Sequence, residues 1–203
     1  MTVRLLPCGR RAVLVELDDV LGFQAAVRSL DLAGVEELVP AARTLLVRFD
    51  PTVTDADRLG SVLREVSPVD SAVSASAEVV IPVVYDGEDL ADVAAETGLS
   101  VAAVISRHRA GAYVSAFCGF APGFAYLSGL DPALHVSRRS TPRTRIPAGS
   151  VAIAGEYSAV YPSASPGGWR LLGRTAVPVW DVERDPPNLL PPGTRVRFEA
   201  VTA

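Results

Sequence analysis

Arg138, Arg139, Arg143 and Arg145 fall within eight residues, and no acid occurs from Pro132 through Gly155. A guanidinium is a planar fork that grips carboxylate or phosphate through two N–H groups. The cluster therefore points to an anion site, and Arg143, framed by Pro142 and the following turn, is its expected centre. Arg138 and Arg139 read as solvated loop residues. Pro147-Ala148-Gly149-Ser150 follows, and the N–H groups of Gly149 and Ser150 are expected to form an anion-binding nest. Glu156, after Gly155, is the candidate carboxylate for acid–base work, with an ordinary exposed turn residue as the alternative. Trp169, after Pro166-Gly167-Gly168, can wall a pocket or fill the core. Arg170 and Arg174 add positive charge to the same half.

Upstream, Phe117-Cys118-Gly119-Phe120-Ala121-Pro122-Gly123-Phe124-Ala125-Tyr126-Leu127 interrupts an aromatic run with glycine and proline. Glycine reaches backbone angles that other residues avoid, and proline lacks an N–H. The stretch is expected to form an aromatic ledge beside exposed backbone, not a continuous ladder. Eight of the 16 glycines lie between Gly119 and Gly173, as in a site built from loops on a β scaffold.

Several chemistries are excluded. The chain has no lysine, so it can form no lysine Schiff base and no Walker-type phosphate loop. Two cysteines and two histidines, with no HxxxH or HxH spacing, make no zinc set or disulfide framework, and no metal site is expected. His108 shares a helical face with Val101, Val104 and Ile105 and reads as a satisfied, partly buried histidine. His135 reads as exposed. Ser150 as a nucleophile would need a neighbouring base that the chain hardly supplies. A net charge of −4 speaks against nucleic acid as a partner. No apolar run approaches the roughly 20 residues of a membrane span, and the N-terminus lacks a signal-peptide pattern. A cytoplasmic protein is expected.

The elements that must position these groups fall into two parts. Val3 to Leu6 and Ala12 to Leu17 read as strands, Asp19 to Leu32 as a helix, Val35 to Val39 and Thr44 to Phe49 as strands, and Asp55 to Val66 as a second amphipathic helix. This ββα-ββα order predicts a small α+β domain over residues 1–72, with helices on one face of a sheet. Ser71 to Ala77 reads as a linker. The second domain, 78–203, opens with the Glu78 to Tyr85 run, where Pro82 marks an edge or bulge. Helices follow over Asp89 to Thr97, ended by Gly98, and from Val101 to Arg109, capped by Ser100. Short strands between turns complete it: Ala112 to Phe117, Ser150 to Ala154, Ala159 to Tyr161, Trp169 to Gly173 and Arg195 to Ala200. That pattern suggests a barrel or sandwich.

Three blocks of residues carry a resemblance. They are Gly119-Phe120-x-Pro122-Gly123-Phe124-x-Tyr126-Leu127, then Pro142-Arg143 through Ile146-Pro147-Ala148-Gly149-Ser150-Val151-x-Ile153-Ala154-Gly155, and then Tyr161-Pro162, Ser165-Pro166-Gly167-Gly168-Trp169 and Gly173-Arg174-Thr175. Together they resemble the family of the 5-oxoprolinase B subunit, also called PxpB or KipI and formerly labelled as the first subunit of allophanate hydrolase. The resemblance implies a mainly β, cyclophilin-like barrel after the α+β domain. It implies a heteromeric enzyme, completed by C and A subunits, that uses ATP to open the lactam of 5-oxoproline, a small anionic amide, to glutamate; whether ATP touches this chain is left open. Arg143 would bind the substrate carboxylate or a phosphorylated intermediate, and Glu156 would orient water. Phe120, Pro122, Gly123, Phe124, Tyr126, Gly149, Ser150, Trp169 and Arg174 would contact substrate. Alternatives within the family are a carboxyltransferase or allophanate-hydrolase-type amide enzyme component and an inhibitor of a sensor histidine kinase. Family members commonly carry Gln-Thr where this chain has Tyr157-Ser158.

Overall fold

The computed structural model describes residues 3–69 and 78–202. The expected linker, Ser71 to Ala77, lies outside the described residues. The chain divides into two compact units, residues 1–72 and 73–203.

The first unit is a four-stranded antiparallel sheet. Its strands are β1 (Arg4–Pro7), β2 (Ala12–Glu16), β3 (Val35–Pro40) and β4 (Thr44–Phe49), in the order β1-β2-β4-β3. Side chains alternate faces along a strand, so Val13 and Val15 of β2 point the same way as Leu45, Val47 and Phe49 of β4. All five are buried against Phe23 and Val27 of α1 (Val20–Ser29) and Leu59 and Leu63 of α2 (Ala56–Glu65). Both helices start where a carboxylate accepts from otherwise unpaired N–H groups: Asp19 accepts from Gly22, and Asp55 from Asp57 and Arg58.

The second unit begins with β5 (Val79–Val83), α3 (Leu90–Thr97) and α4 (Val101–Ala110). Gly98 ends α3 in the left-handed region, and the Ser100 hydroxyl caps α4 by accepting from Ala103. The β-rich remainder holds β6 (Tyr113–Cys118), β7 (Ala125–Ser128), β8 (Arg143–Ile146), β9 (Ser150–Ala154), β10 (Tyr157–Val160), β11 (Ser165–Gly167), β12 (Arg170–Arg174) and β13 (Arg195–Ala200). One seven-stranded sheet runs in the order β12-β9-β10-β7-β6-β13-β5. Val84 and Arg174 then exchange two backbone hydrogen bonds of 2.9 Å each. They bring the two edges together into a nearly closed barrel. Pro82, which has no N–H to give to a ladder, sits on β5 at one end of that order.

One face of β9 points into the barrel, where Val151 and Ile153 meet Ile81, Leu127, Val160, Leu172 and Phe198. The other face carries Ala152 and Ala154 into a second core with Phe124, Ile146, Tyr161, Trp169 and Leu171. The β8–β11 ribbon contributes Ile146 to this outer layer, and all five residues of β9 are buried. Three of these strands depart from the sequence pattern. Ala125–Ser128 is a ladder strand inside the sheet, paired on both sides, against the expectation of a broken ledge. The glycines and proline instead make the β6–β7 connection. Strands β8 and β11 are too short and too polar to show a period of two.

Candidate functional site

The β6–β7 connection is a strained, aromatic turn. The Ala121 N–H donates to Gly119 O at 2.8 Å, closing a γ-turn around Phe120, whose φ is 69°. This is the uncommon positive-φ form of the turn, unfavourable for a side chain with a Cβ. Phe120 is nevertheless 62% exposed. Three residues on, Gly123 has φ 78°, and an added Cβ would lie 2.5 Å from Trp180 Cβ, so only glycine fits.

Behind the turn the aromatic rings are contiguous. Phe120 meets Phe124 edge-on at 5.2 Å. Phe124 meets Tyr161 and Trp169 at 5.2 and 5.5 Å, and Tyr126 meets Trp169 at 5.6 Å. Phe117 stacks on Tyr126 at 4.3 Å, and Tyr157 closes edge-on against both. Tyr157 thus widens the aromatic face. Phe124, Tyr161 and Trp169 are buried, whereas Phe117, Tyr126 and Tyr157 are half-buried. Trp169 therefore fills the outer core; its accessible neighbours are Tyr126 and Arg138.

The arginines divide in a way that their spacing does not show. Arg143 is not free. Its guanidinium grips Asp89 in fork-to-fork fashion, Nη1 to Oδ2 at 2.8 Å and Nη2 to Oδ1 at 2.9 Å, and also reaches Glu88 at 3.0 Å. Arg139, expected in solvent, donates to Asp89 Oδ1 at 2.6 Å. The Leu171 N–H gives the fourth bond, at 2.8 Å to Oδ2. Asp89 is 1% exposed. Burial alone would raise its carboxyl, but the Arg143 fork, the Leu171 N–H and Arg139 outweigh it and hold the group below the usual carboxylate range. Arg138, by contrast, is exposed, with its guanidinium carbon 5.9 Å from the centroid of Trp169. Arg174 is exposed at the barrel seam and pairs with Asp86 at 2.9 Å.

The expected nest at Gly149 and Ser150 is closed. The Gly149 N–H donates to Tyr161 O at 2.8 Å, and the Ser150 N–H and hydroxyl both donate to Pro147 O. Neither N–H is left for an anion. Glu156 is exposed in the β9–β10 turn. Its carboxylate lies near the Tyr157 phenol, which burial first and then Glu156 push up. Pro122 is exposed on the turn.

A buried polar relay was missed by sequence reasoning. His108 is fully buried; its Nδ1 is 2.8 Å from the Tyr85 hydroxyl and its Nε2 is 2.9 Å from Ser158 Oγ. Ser158 donates its single proton to Ala152 O at 3.2 Å. It must then accept from Nε2–H, which leaves Nδ1 to accept from Tyr85. Burial lowers the His108 pKa to about 3, so the ring is neutral. The serine and histidine are thus in contact, yet neither reaches the surface. His135 is exposed, with Nε2 3.2 Å from Leu130 O. Among the described residues no group of three or more His, Cys, Asp or Glu could hold a metal, and no helix is long and apolar enough to cross a membrane.

Two helices and a nearly closed barrel with a covered outer wall define a class. Residues 3–190 match the family described as carboxyltransferase domain, subdomain C and D. The 5-oxoprolinase B subunit of Escherichia coli O157:H7 is 39% identical over 201 residues, covering 94% of this chain and 92% of that protein. The 5-oxoprolinase B subunit of Bacillus subtilis is 45% identical over 127 residues, covering 61% and 53%. The solved structure of TTHA0988 aligns with a TM-score of 0.81 and 36% identity, over 96% of this chain and 40% of that one. The Kluyveromyces lactis urea amidolyase shares the fold at a TM-score of 0.71 and 21% identity, over 98% of this chain and 15% of that one. The chain belongs to the family of the 5-oxoprolinase B subunit.

Proposed function

We propose that this chain is the B subunit of an ATP-dependent 5-oxoprolinase, acting with C and A subunits to open the cyclic amide of 5-oxoproline to glutamate. The observation that carries the reading is the match to a 5-oxoprolinase B subunit over nearly the full length of both chains. The geometry fits a component that binds but does not complete the chemistry. Its histidine–serine contact is sealed in the core, and Ser150 is turned onto its own backbone. What reaches the surface is an aromatic face with an arginine beside it. The barrel is read as cyclophilin-like, and ATP as consumed by the assembled complex.

The test is a coupled glutamate-release assay. The purified chain alone is expected to be silent, and co-expression with the C subunit is expected to yield a stable complex that is active once the A subunit is added. Lactam hydrolysis by the chain alone would overturn this reading. A carboxyltransferase reading is favoured by one further observation, a 37% match over 71 residues to the Saccharomyces cerevisiae urea amidolyase. Turnover of urea-derived amides but not of 5-oxoproline would select it. The domain boundary is proposed at the same place as the unit division. A fragment starting at Glu78 should give dispersed amide signals, and an unfolded fragment would merge the two units into one.

A further inference from the structure

We propose that Arg138, seated on Trp169, binds the carboxylate of the anionic amide substrate. The choice of substrate rests on the function proposed above; the anion site itself rests on three observations of this chain.

The first is that Arg138 is available. Its neighbours Arg139 and Arg143 are tied to Asp89, and Arg143 also to Glu88. Arg138 is exposed and has no carboxylate partner among the described residues, and the stretch from Pro132 through Gly155 supplies no acid. The second is that it is held in place. The Gly155 N–H donates to Val136 O at 2.8 Å, Arg170 Nε to Ser137 O at 3.3 Å, and the Arg139 N–H to Gly168 O at 2.7 Å. The backbone is therefore pinned at the two residues before Arg138 and at the one after it. The third is the platform. Trp169 is buried between Phe124 and Tyr126, so the ring beneath the guanidinium cannot move away. A guanidinium over a π face keeps the N–H donors of its edge free for a carboxylate. Half-buried Tyr126 and Phe117 continue the surface and offer a flat wall to a small ring.

The test compares 5-oxoproline with 2-pyrrolidinone, the same lactam without the carboxylate, on the reconstituted complex. Arg138→Met keeps an apolar stem over Trp169 and removes the fork. It is expected to raise KM for 5-oxoproline roughly ten- to a hundredfold, as for loss of one charge-assisted contact, with kcat changed little. The preference for 5-oxoproline over 2-pyrrolidinone should shrink by the same factor, and Arg138→Lys should recover part of it. An unchanged KM and preference in Arg138→Met, with an unchanged melting temperature, would overturn the proposal, as would the same loss on Arg145→Met but not on Arg138→Met. A second readout uses the full chain. The Arg138 Nε–H resonance, assigned by its loss in Arg138→Met, should shift with 5-oxoproline and not with 2-pyrrolidinone. A complex without 5-oxoprolinase activity whose Arg138 signal still responds would sink the function and leave the anion site. An active complex whose Arg138 signal ignores 5-oxoproline would sink the anion site and leave the function.

Discussion

The first unit keeps its charges on the surface, whereas the barrel unit buries one carboxylate and several neutral polar groups. In the first, every ion pair among the described residues is solvated, and even the least exposed partner, Glu36, is 34% exposed. Its core is aliphatic with two phenylalanines. In the second, Asp89, His108, Ser115 and Ser158 are all nearly or fully buried. A buried charge is stable only with its hydrogen bonds complete. Asp89 meets that demand with four hydrogen bonds, drawn from the Arg139 loop, β8 and β12. The first unit is thus organised by apolar burial, with Gln24 as its one buried polar side chain among the described residues, bonded to Leu38 O, and the second also by a polar clamp that fixes the loop presenting Arg138.

The largest effect should come from breaking that clamp. Asp89→Ala leaves Arg139 and the Leu171 N–H without their partner and Arg143 with Glu88 alone. Removing one side of a buried pair costs about 3–5 kcal/mol; Arg139 and Arg143 retain some access to water, so the lower end applies. The melting temperature should fall on the order of 10 °C. Arg143→Lys should lower stability and activity together, because its fork serves Asp89. A stable, inactive Arg143→Lys would instead return Arg143 to direct substrate contact. An Asp89→Ala protein that melts like the wild type would erase the distinction between the units.

The next effect concerns pH. His108 has a folded pKa near 3, lowered by burial, against an unfolded value near 6.5. Below pH 6.5 the unfolded chain binds a proton that the folded chain refuses. The stability contribution is therefore complete above pH 6.5 and declines as pH falls toward 3, by roughly 1.4 kcal/mol per unit at most. Asp89 adds a second stability contribution, present above its unfolded value near 4 and lost as pH falls through its lower folded value. Urea unfolding of wild type and His108→Gln between pH 7 and 4.5 separates the two. The wild type should lose stability across that window, and the variant should be flatter. Parallel profiles would show that His108 is not the group responsible.

The legible parts of this protein are the local ones. Asp19, Asp55 and Ser100 cap helices through bonds within three residues, and Gly98 ends one through its own backbone freedom. Alternation along β2 and β4 betrays the first core. The buried aspect of His108 follows from helical spacing. What stays hidden is long-range pairing. Asp89 lies 54 residues from Arg143, and His108 lies 50 from Ser158. Nothing in spacing says which arginine of a cluster meets an acid from another element. One signal is available: an arginine-rich stretch without acids must take its counter-charges from elsewhere, and Glu88-Asp89 lies at the start of α3 upstream. The blocks that carry the candidate site can be read in the sequence, whereas the pairing that ties Arg143 down and leaves Arg138 exposed cannot.

The smallest effect should come from the first unit's own charges. Arg48 lies opposite Glu37 in the β3–β4 ladder and donates to Glu37 at 2.9 Å and to Glu36 at 3.2 Å. Its side chain is 47% exposed, so water screens both contacts. Exposed cross-strand pairs contribute roughly 0.2–1 kcal/mol. Arg48→Ala should therefore lower the melting temperature by only about 1–4 °C. At about 1 M salt, where the screening length is about 3 Å, the difference should nearly vanish. The Asp89→Ala penalty should persist in the same buffer, because salt does not reach a carboxylate that is 1% exposed. Measured as two melts at low and high salt, the pair of variants tests the contrast directly. A salt-insensitive loss in Arg48→Ala as large as that in Asp89→Ala would mean that the first unit, too, depends on a charge it carries on its surface.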